Sequence, residues 1–586
     1  MGFARATAKS SAEGFMPPPM GGLNTFDAVA DMPPTDAVTL KNLIPAEFGL
    51  RVRLGSEEWV TGLGGPVLTT IPFNGAAANG ANDKYFATTA TGIWDCSAST
   101  ASPTQVYAFA SSAGSAGTGV AYTMVTSAGH FLVYCDEVNG YLVYRESTGA
   151  WQAVQDIDTT AAWTITTGYT AGQYVKNGGN VYLCTHTGTS AGAGGPSGTG
   201  TAIADGTCTW DYNWSLSGVD PINLVSVTAW KNRLWFTQRD TAKAWYLDVN
   251  AVGGTATSFN FGGQFRVGGP LVGLWNWTTD GGAGMDDFLV ALSGAGDVVV
   301  YQGTDPTSAT TFGLKGIWTV GSLPKGRRIA TEFGGDVLIA SMVGLVPLSK
   351  LVLGNVTFDR SQYLTSKVQN LFNYYTGLYG TNPGWALVLD PKDNALLVLV
   401  PITAGSPDTQ LAMSLSTRGW FPYSGLAMNC AAPWNGVLYY GTADGKVVKH
   451  DGYVDGVTLA DPNAQTAIQW HLITSFQNLG TPRQKRCGML RPKVLSQSGT
   501  VPLQAQARWD FEVSTPGNVS GSVSSSGGWD AGLWDTAVWG GDFTTTQTVF
   551  GATGTGSHMA VAVEGLANSR TIYAGVDVSF QVGGFL

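Results

Sequence analysis

The side chains most able to do chemistry are sparse and scattered. Five histidines, His130, His186, His450, His471 and His558, are spread along 586 residues. No two share a helix-face spacing, and no carboxylate pattern around them marks a metal triad. The pair Asp156 and Asp158 offers two carboxylates, a thin ligand set for Ca²⁺ and the usual content of a solvated loop. No G-x-S-x-G elbow, phosphate-binding loop or dinucleotide fingerprint stands in strand-to-helix context. The pattern therefore implies no cofactor, no metal and no enzyme. Two clusters remain as candidate contacts. Arg483, Lys485, Arg486, Arg491 and Lys493 form a run that no acid interrupts, fit to meet DNA phosphates or an acidic subunit; Lys325, Arg327 and Arg328 make a shorter case. Trp529, Trp534 and Trp539 recur every five residues, a period of neither strand nor helix, which reads as an irregular loop with aromatic anchors for an interface or for the chain's own core.

The elements that must position these groups read as strands. Glycine supplies 79 residues, with 20 Trp, 21 Tyr and 24 Phe, the mixture of many short strands joined by tight turns. Charged residues make up 12%, about half the usual share, which keeps the desolvation cost of permanent subunit contacts low. A net charge of −10 speaks against sequence-independent nucleic-acid binding. The start, MGFARATAKSSAEGFMPPPMGG, has no continuous apolar stretch of the secretory kind, and no run of about 18 apolar residues follows. The expectation is a soluble protein made in a cytoplasm. Cys96, Cys135, Cys184, Cys208, Cys430 and Cys487 include no C-x-x-C pair and read as reduced, buried thiols.

A unit of apolar run, Gly-containing turn and second apolar run recurs seven times. The copies are Tyr85 to Trp94, His130 to Tyr144, Arg233 to Leu247, Phe288 to Tyr301, Val337 to Leu348, Ala395 to Val400 with a partner near Leu411, and Val437 to Val448. A spacing of roughly 40 to 60 residues matches four-stranded propeller blades, and Asn139-Gly140, Asn435-Gly436 and Asp444-Gly445 supply the positive-φ turns that hairpins need. One segment departs: Leu364, Val368, Leu371, Phe372 and Tyr375 fall at helical spacing, with Thr365 or Ser366 as N-cap.

Between Trp151 and Trp214 the repeat is interrupted by an aromatic strand, a turn, a second strand, a Gly/Ser/Thr/Pro loop and a D-G-x-x-x-W strand. This unit resembles small β-modules related to chitin-binding domains. Trp163, Tyr169, Tyr174, Tyr182, Trp210 and Tyr212 would offer faces for stacking on sugar rings. The competing reading makes them the module's own core, since a domain this small must bury most of its large side chains. Cys184 and Cys208 lie on strands that would be neighbours, though a disulfide is not expected in a reducing compartment.

Gly21, Gly22, Leu23 and Asn24, then Met32, Pro33, Pro34, Asp36, Ala37 and Val38, Asn42 and Pro45, and Arg51 and Arg53 form a pattern that resembles the start of a family of short-tailed phage (podovirus) tail proteins, variously called nozzle, tail tubular or packaged-DNA-stabilising proteins. Gly334 to Ser349 and Ser416 to Gly452 are similar to blades of that family, and Phe476 to Lys493, the tryptophan run and the closing VDVSFQVGGFL to its C-terminal β-domain.

The expected fold is thus all-β: a propeller with an additional C-terminal β-domain and a small inserted β-module. The divisions are an extended N-terminal segment over 1–60, propeller over 61–151 and 215–458, the module over 152–214 and the end domain over 459–586. The resemblance implies a structural virion protein, assembled in the host cytoplasm, that forms a ring, usually a hexamer, at the distal end of the tail. It would retain packaged DNA and let the double strand pass on ejection. Implied partners are further copies, the tail adaptor protein, tail fibres or spikes and the host cell envelope. Two other functions compete: a glycan-degrading propeller, which needs carboxylates about 5–10 Å apart at its axis, and a receptor-glycan adhesin acting through the module.

Overall fold

The computed structural model describes residues 11–124, 129–280, 285–353, 362–401, 409–497, 499–517, 519 and 543–583. Each of the seven sequence units is a hairpin of a small antiparallel sheet, the last two strands in the fifth and the middle two in the others. These sheets, numbered as blades, begin with strands Thr69–Phe73, Gly117–Thr123, Leu224–Trp230, Leu271–Asp280, Ala330–Phe333, Ala386–Asp390 and Cys430–Trp434. Each first strand packs against that of the next blade, and the seventh returns to the first. The chain is all-β, and this closed circuit makes it a seven-bladed propeller. Blade 5 has three strands. Blade 7 takes its fourth, Glu57–Val60, from the other end of the chain, paired antiparallel with Val447–His450.

Two-sided burial explains why the middle strands read as unbroken apolar runs rather than alternating ones. In blade 2, Phe131, Val133 and Cys135 join blade 3 in one core, while Leu132 and Tyr134 join blade 1 in another. In blade 4, Leu289 and Ala291 face blade 3, and Val290 and Leu292 face blade 5. Near the axis the blades are also hydrogen-bonded. Gly117 N donates to Thr69 Oγ1 at 2.8 Å, Val227 N to Thr118 Oγ1 at 3.0 Å, and Thr228 Oγ1 to Leu274 O at 2.6 Å. At the Asn435-Gly436 hairpin both residues have positive φ, 48° and 76°, the geometry a two-residue hairpin requires.

Residues 11–60 do more than extend along the surface: they supply strands to three sheets. Ala12–Met16 lies on Thr571–Val582, which also pairs with Gly49–Val52 and with Lys485–Ser496. Asp36–Lys41 pairs with Thr466–Thr474, and that strand with Met559–Ala567. Gly22–Leu23 lies between Asp36–Lys41 and Trp420–Ser424 of blade 6. One ten-stranded sheet therefore runs from blade 6 through the N-terminal segment into the end domain, and Leu40, Leu43, Leu472, Val494, Val563 and Val578 share a core with blade residues Leu397 and Phe421.

The segment at helical spacing is a short 3₁₀ turn, Ser366–Val368, followed by helix Gln369–Tyr379. Phe372 and Val368 are buried, and Leu364, Leu371 and Tyr375 pack half-buried against the same core. Neither Thr365 nor Ser366 caps it. The Thr365 hydroxyl instead meets Leu345 N and Gln369 Oε1, because the preceding turn draws it toward blade 5. A second helix, Leu348–Val352, lacks the length for periodicity to reveal it. The module, between blades 2 and 3, is a four-stranded sheet of Tyr174–Asn177, Asn180–His186, Cys208–Asn213 and Ile203–Asp205. Among the described residues no helix is long and apolar enough to cross a membrane.

Gly22 tests the connection between propeller and end domain. Its φ is +80°, and a Cβ there would lie 2.5 Å from Trp420 N. Gly22→Ala is expected to lower stability by more than about 2 kcal/mol, since strain and backbone overlap add. Gly65→Ala, where a Cβ meets nothing within 4 Å, should be close to neutral. Denaturant midpoints of the two variants check this.

Candidate functional site

The polar residues of the N-terminal pattern converge on the boundary between propeller and end domain. Asn24 Oδ1 accepts from Phe26 N and Asp27 N, and its amide donates to Asp27 and to buried Asp36 at 2.8 Å each. Asp36 also holds Lys367, at the start of the helical segment, at 2.8 Å. Asn42, at φ 57°, accepts from Arg53 Nε and Ser424 N and donates to Gln469 O. One amide thereby ties the N-terminal segment, blade 6 and the end domain together.

The two arginines of the R-x-R strand point into the same region. Arg53, with a side chain 1% exposed, makes a bidentate pair with Asp455, at 2.9 and 2.6 Å, and donates to the carbonyls of Leu54 and Ser424. Such a fork matches carboxylate geometry and accounts for arginine rather than lysine there. Arg51 reaches Asp393 in the turn of blade 6 at 2.8 Å.

Asp393 is the centre of a second network, wholly buried. Tyr423 OH donates to its Oδ2 at 2.6 Å, and His450 Nε2 lies 3.1 Å from Asp393 Oδ2 and 3.4 Å from Asp390 Oδ2. His450 Nδ1 faces Gly55 O at 2.9 Å. Both ring nitrogens thus meet acceptors, the arrangement of an imidazolium. Burial alone would lower the His450 pKa, but the hydrogen bond to Asp393 and the charges of both aspartates raise it above its ordinary value. For Asp393 burial works upward and is overcome by His450, Arg51 and Tyr423, which hold the carboxyl well below the usual range. Burial, offset by His450 and reinforced by Asp393, pushes Asp390 up to about 6. Asp390, Asp393 and His450 have donor types suited to a divalent cation, with ligand atoms within 4.8 Å of one another. Arg51, however, already occupies Asp393, and its charge with the imidazolium balances the two carboxylates. The cluster is therefore an ion-pair network that locks blades 6 and 7 to the N-terminal segment. Sequence spacing could not show it: His450 is isolated along the chain but not in space, and the Asp390 to Asp393 turn looks like any hairpin.

The propeller axis holds a cavity of about 420 Å³ walled by the first strands of all seven blades. Glu332 is the one carboxylate among its described lining residues, with Arg327 and Arg328 nearby. Arg327 is engaged, pairing with Glu137 of blade 2 at 2.8 Å and donating to the carbonyls of Leu271 and Val272. Lys325 lies at the adjoining mouth with Arg327 and Arg328. Glu137 and Asp240 line the same mouth.

The remaining candidate residues fall as follows. Trp210 and Tyr182 are buried in the module core, where Trp163, Tyr169 and Tyr212 pack half-buried around them. The indoles of Trp163 and Trp210 both donate to Asp205 Oδ2, at 2.8 and 3.1 Å, and Tyr174 is half-buried, its phenol raised by that burial. Two of the six aromatics, Tyr182 and Trp210, are withdrawn from water, and the other four keep part of their surface exposed. The basic run is divided by strand alternation. Lys485 is buried and donates to the carbonyls of Thr481, Arg483 and Ser557, while Arg486 points outward, and Arg491 and Lys493 share Asp577 at 2.6 and 2.8 Å. Of the five, Lys485 alone is withdrawn from water; Arg483, Arg486 and Arg491 are exposed and Lys493 is half-buried. Asp156 and Asp158 accept hydrogen bonds from Asp158 N, Thr159 and Gly218 N, as an ordered loop does. Trp529, Trp534 and Trp539 lie outside the described residues.

No family model and no curated protein matches the chain. Among solved structures it is similar to the β-propeller domain of Myceliophteria thermophila Cps50 (Swd1), at 8% identity over 68% of this chain and 99% of that one, with a TM-score of 0.27.

The buried network makes stability depend on pH with a definite sign. The contribution of His450, whose folded pKa is raised, is complete below its ordinary 6.5 and is lost as pH rises through the raised value. Asp390 acts in the same direction around pH 6, whereas the contribution of Asp393 is lost only as pH falls below the ordinary carboxylate range. Thermal midpoints should therefore fall between pH 6 and pH 9, and His450→Gln should start lower and show a flatter slope over that window.

Proposed function

We propose that this chain is a structural component of a short phage tail, a nozzle subunit that assembles into a ring around the DNA path. One observation carries the reading. The segments that resemble the tail-protein family, hundreds of residues apart in sequence, touch one another: Gly22 lies beside Trp420, Asn42 and Arg53 are bonded to Ser424, Gly55 O meets His450, and Lys485–Ser496 runs along Thr571–Val582. A pattern spread over both chain ends and two blades makes physical sense if it specifies how the propeller is fixed to the end domain. A rigid two-part subunit is what a ring under DNA pressure requires, because closed symmetry repeats any hinge around the whole circle.

Low charge supports the same reading, since permanent interfaces bury few ions. The module grows from the boundary of blades 2 and 3, while the junction is built on blades 6 and 7. It is therefore an appendage that does not hold the subunit together, and its partners in this reading are outside the ring, fibres or the cell envelope.

Light scattering followed by class averages in the electron microscope is the direct check. A ring of about six copies with a central channel is expected; a chain that stays monomeric even with its adaptor would sink the reading. Removal of residues 152–214 should leave the number of copies and the symmetry unchanged, and adsorption that is also unchanged would limit the module to a spacer.

A further inference from the structure

Cys184 and Cys208 stand apart from the other four cysteines. Cys135 is in blade 2, Cys96 and Cys430 belong to the core between blades 1 and 7, and Cys487 is in the end domain. Cys184 and Cys208 share the small core of the module, each 1% exposed. Strands Asn180–His186 and Cys208–Asn213 are direct antiparallel neighbours, with Cys184 opposite Trp210. Cys208 is two residues from Trp210, on the same buried face, so it is the diagonal neighbour of Cys184. The bulge between Cys184 and His186 shifts the pairing there. The two thiols interact directly, each appearing in the other's electrostatic surroundings. Both are free thiols in this structure.

We propose that Cys184 and Cys208 form a disulfide that staples the inserted module when the chain meets a small-molecule disulfide. The step balances without any further reactant. One protein thiol loses its proton and attacks a sulfur of the oxidant, expelling one small thiol and leaving a mixed disulfide. The second protein thiol then loses its proton and attacks the protein sulfur of that mixed disulfide, expelling the second small thiol. Two protein thiols are oxidised, one small disulfide is reduced to two thiols, and the two protons pass to the leaving thiolates. Burial raises both thiol pKa values, so the first attack is slow and the pair stays reduced where reductant is abundant. The second step is intramolecular, and the neighbouring thiol is already in place.

The physical benefit lies in the module's size. Its core comprises Val175, Tyr182, Cys184, Cys208 and Trp210 with four half-buried side chains, little for a unit that must hold a long Gly/Ser/Thr loop. The bond would close that loop, residues 184–208, and remove much of its freedom in the unfolded state. A chain made in a reducing compartment and later exposed to an oxidising one would harden its appendage after assembly. The inference holds whether or not the chain forms a ring.

The test uses the full-length protein. After incubation with excess oxidised glutathione, it is denatured in N-ethylmaleimide and digested with trypsin without reduction. Peptide Asn177–Lys231 holds both cysteines and no other. It is expected to be lighter than the reduced peptide by two hydrogens, with no alkylation, while the other four cysteines are alkylated. Alkylation of both Cys184 and Cys208, or stable glutathione adducts on them without the cross-link, would overturn the proposal. In Cys208→Ser the peptide should instead carry one glutathione on Cys184; a cross-link from Cys184 to any other cysteine in that variant would equally overturn it.

Discussion

The structure depends on a charged side chain taken almost completely out of water. Arg53 is 1% exposed, and an arginine so placed is tolerable only when each of its donors is met. Asp455 takes two, the carbonyls of Leu54 and Ser424 take others, and Asn42 takes the Nε proton. Satisfying them requires that the N-terminal strand, blade 6 and the segment leaving blade 7 be in place together. A half-formed junction would strand a buried charge, so this network specifies geometry as well as contributing stability. The neighbouring cluster of Arg51, Asp393, Asp390, Tyr423 and His450 obeys the same logic with a proton as one of its parts.

Closing the propeller and joining it to the end domain are one event for this chain. Glu57–Val60 completes blade 7, and the segment just before it carries Arg51 and Arg53 into the junction. A propeller closed by adjacent strands would leave its blades free to be decorated independently. Here the strap that closes the ring also belongs to the two sheets of the end domain, so the two bodies share one core rather than meeting at a polar boundary. That is the property a subunit needs if load on one part is to reach the other without a hinge.

The module follows a different design. It has its own sheet and its own small core, with Asp205 accepting from two indoles, and is tied to the blades by short strands such as Gln155–Asp156 on Ser215–Ser217. Trp210 and Tyr182 are used for folding, as a unit this small requires of its large side chains. The basic run of the end domain gives the same lesson by strand alternation: Lys485 turns inward to three carbonyls and Arg486 turns outward.

By itself the sequence determined the all-β class, the seven hairpins and the helix, because these follow from local properties. Periodicity, turn residues and two-sided apolar runs act within about ten neighbouring residues. FLVYC, Phe131 to Cys135 in blade 2, is apolar throughout because a blade lies on each side of it, and that was readable without knowing which blades. Tertiary structure alone decided which end of the chain closes blade 7, that the N-terminal segment is part of the end domain, and that His450 meets Asp390 and Asp393 across 57 to 60 residues of chain. It also decided which members of a basic or aromatic cluster face water. The physical reason is that burial and ion pairing depend on contacts between distant segments, and a side chain's chemistry is set by what the rest of the fold brings to it.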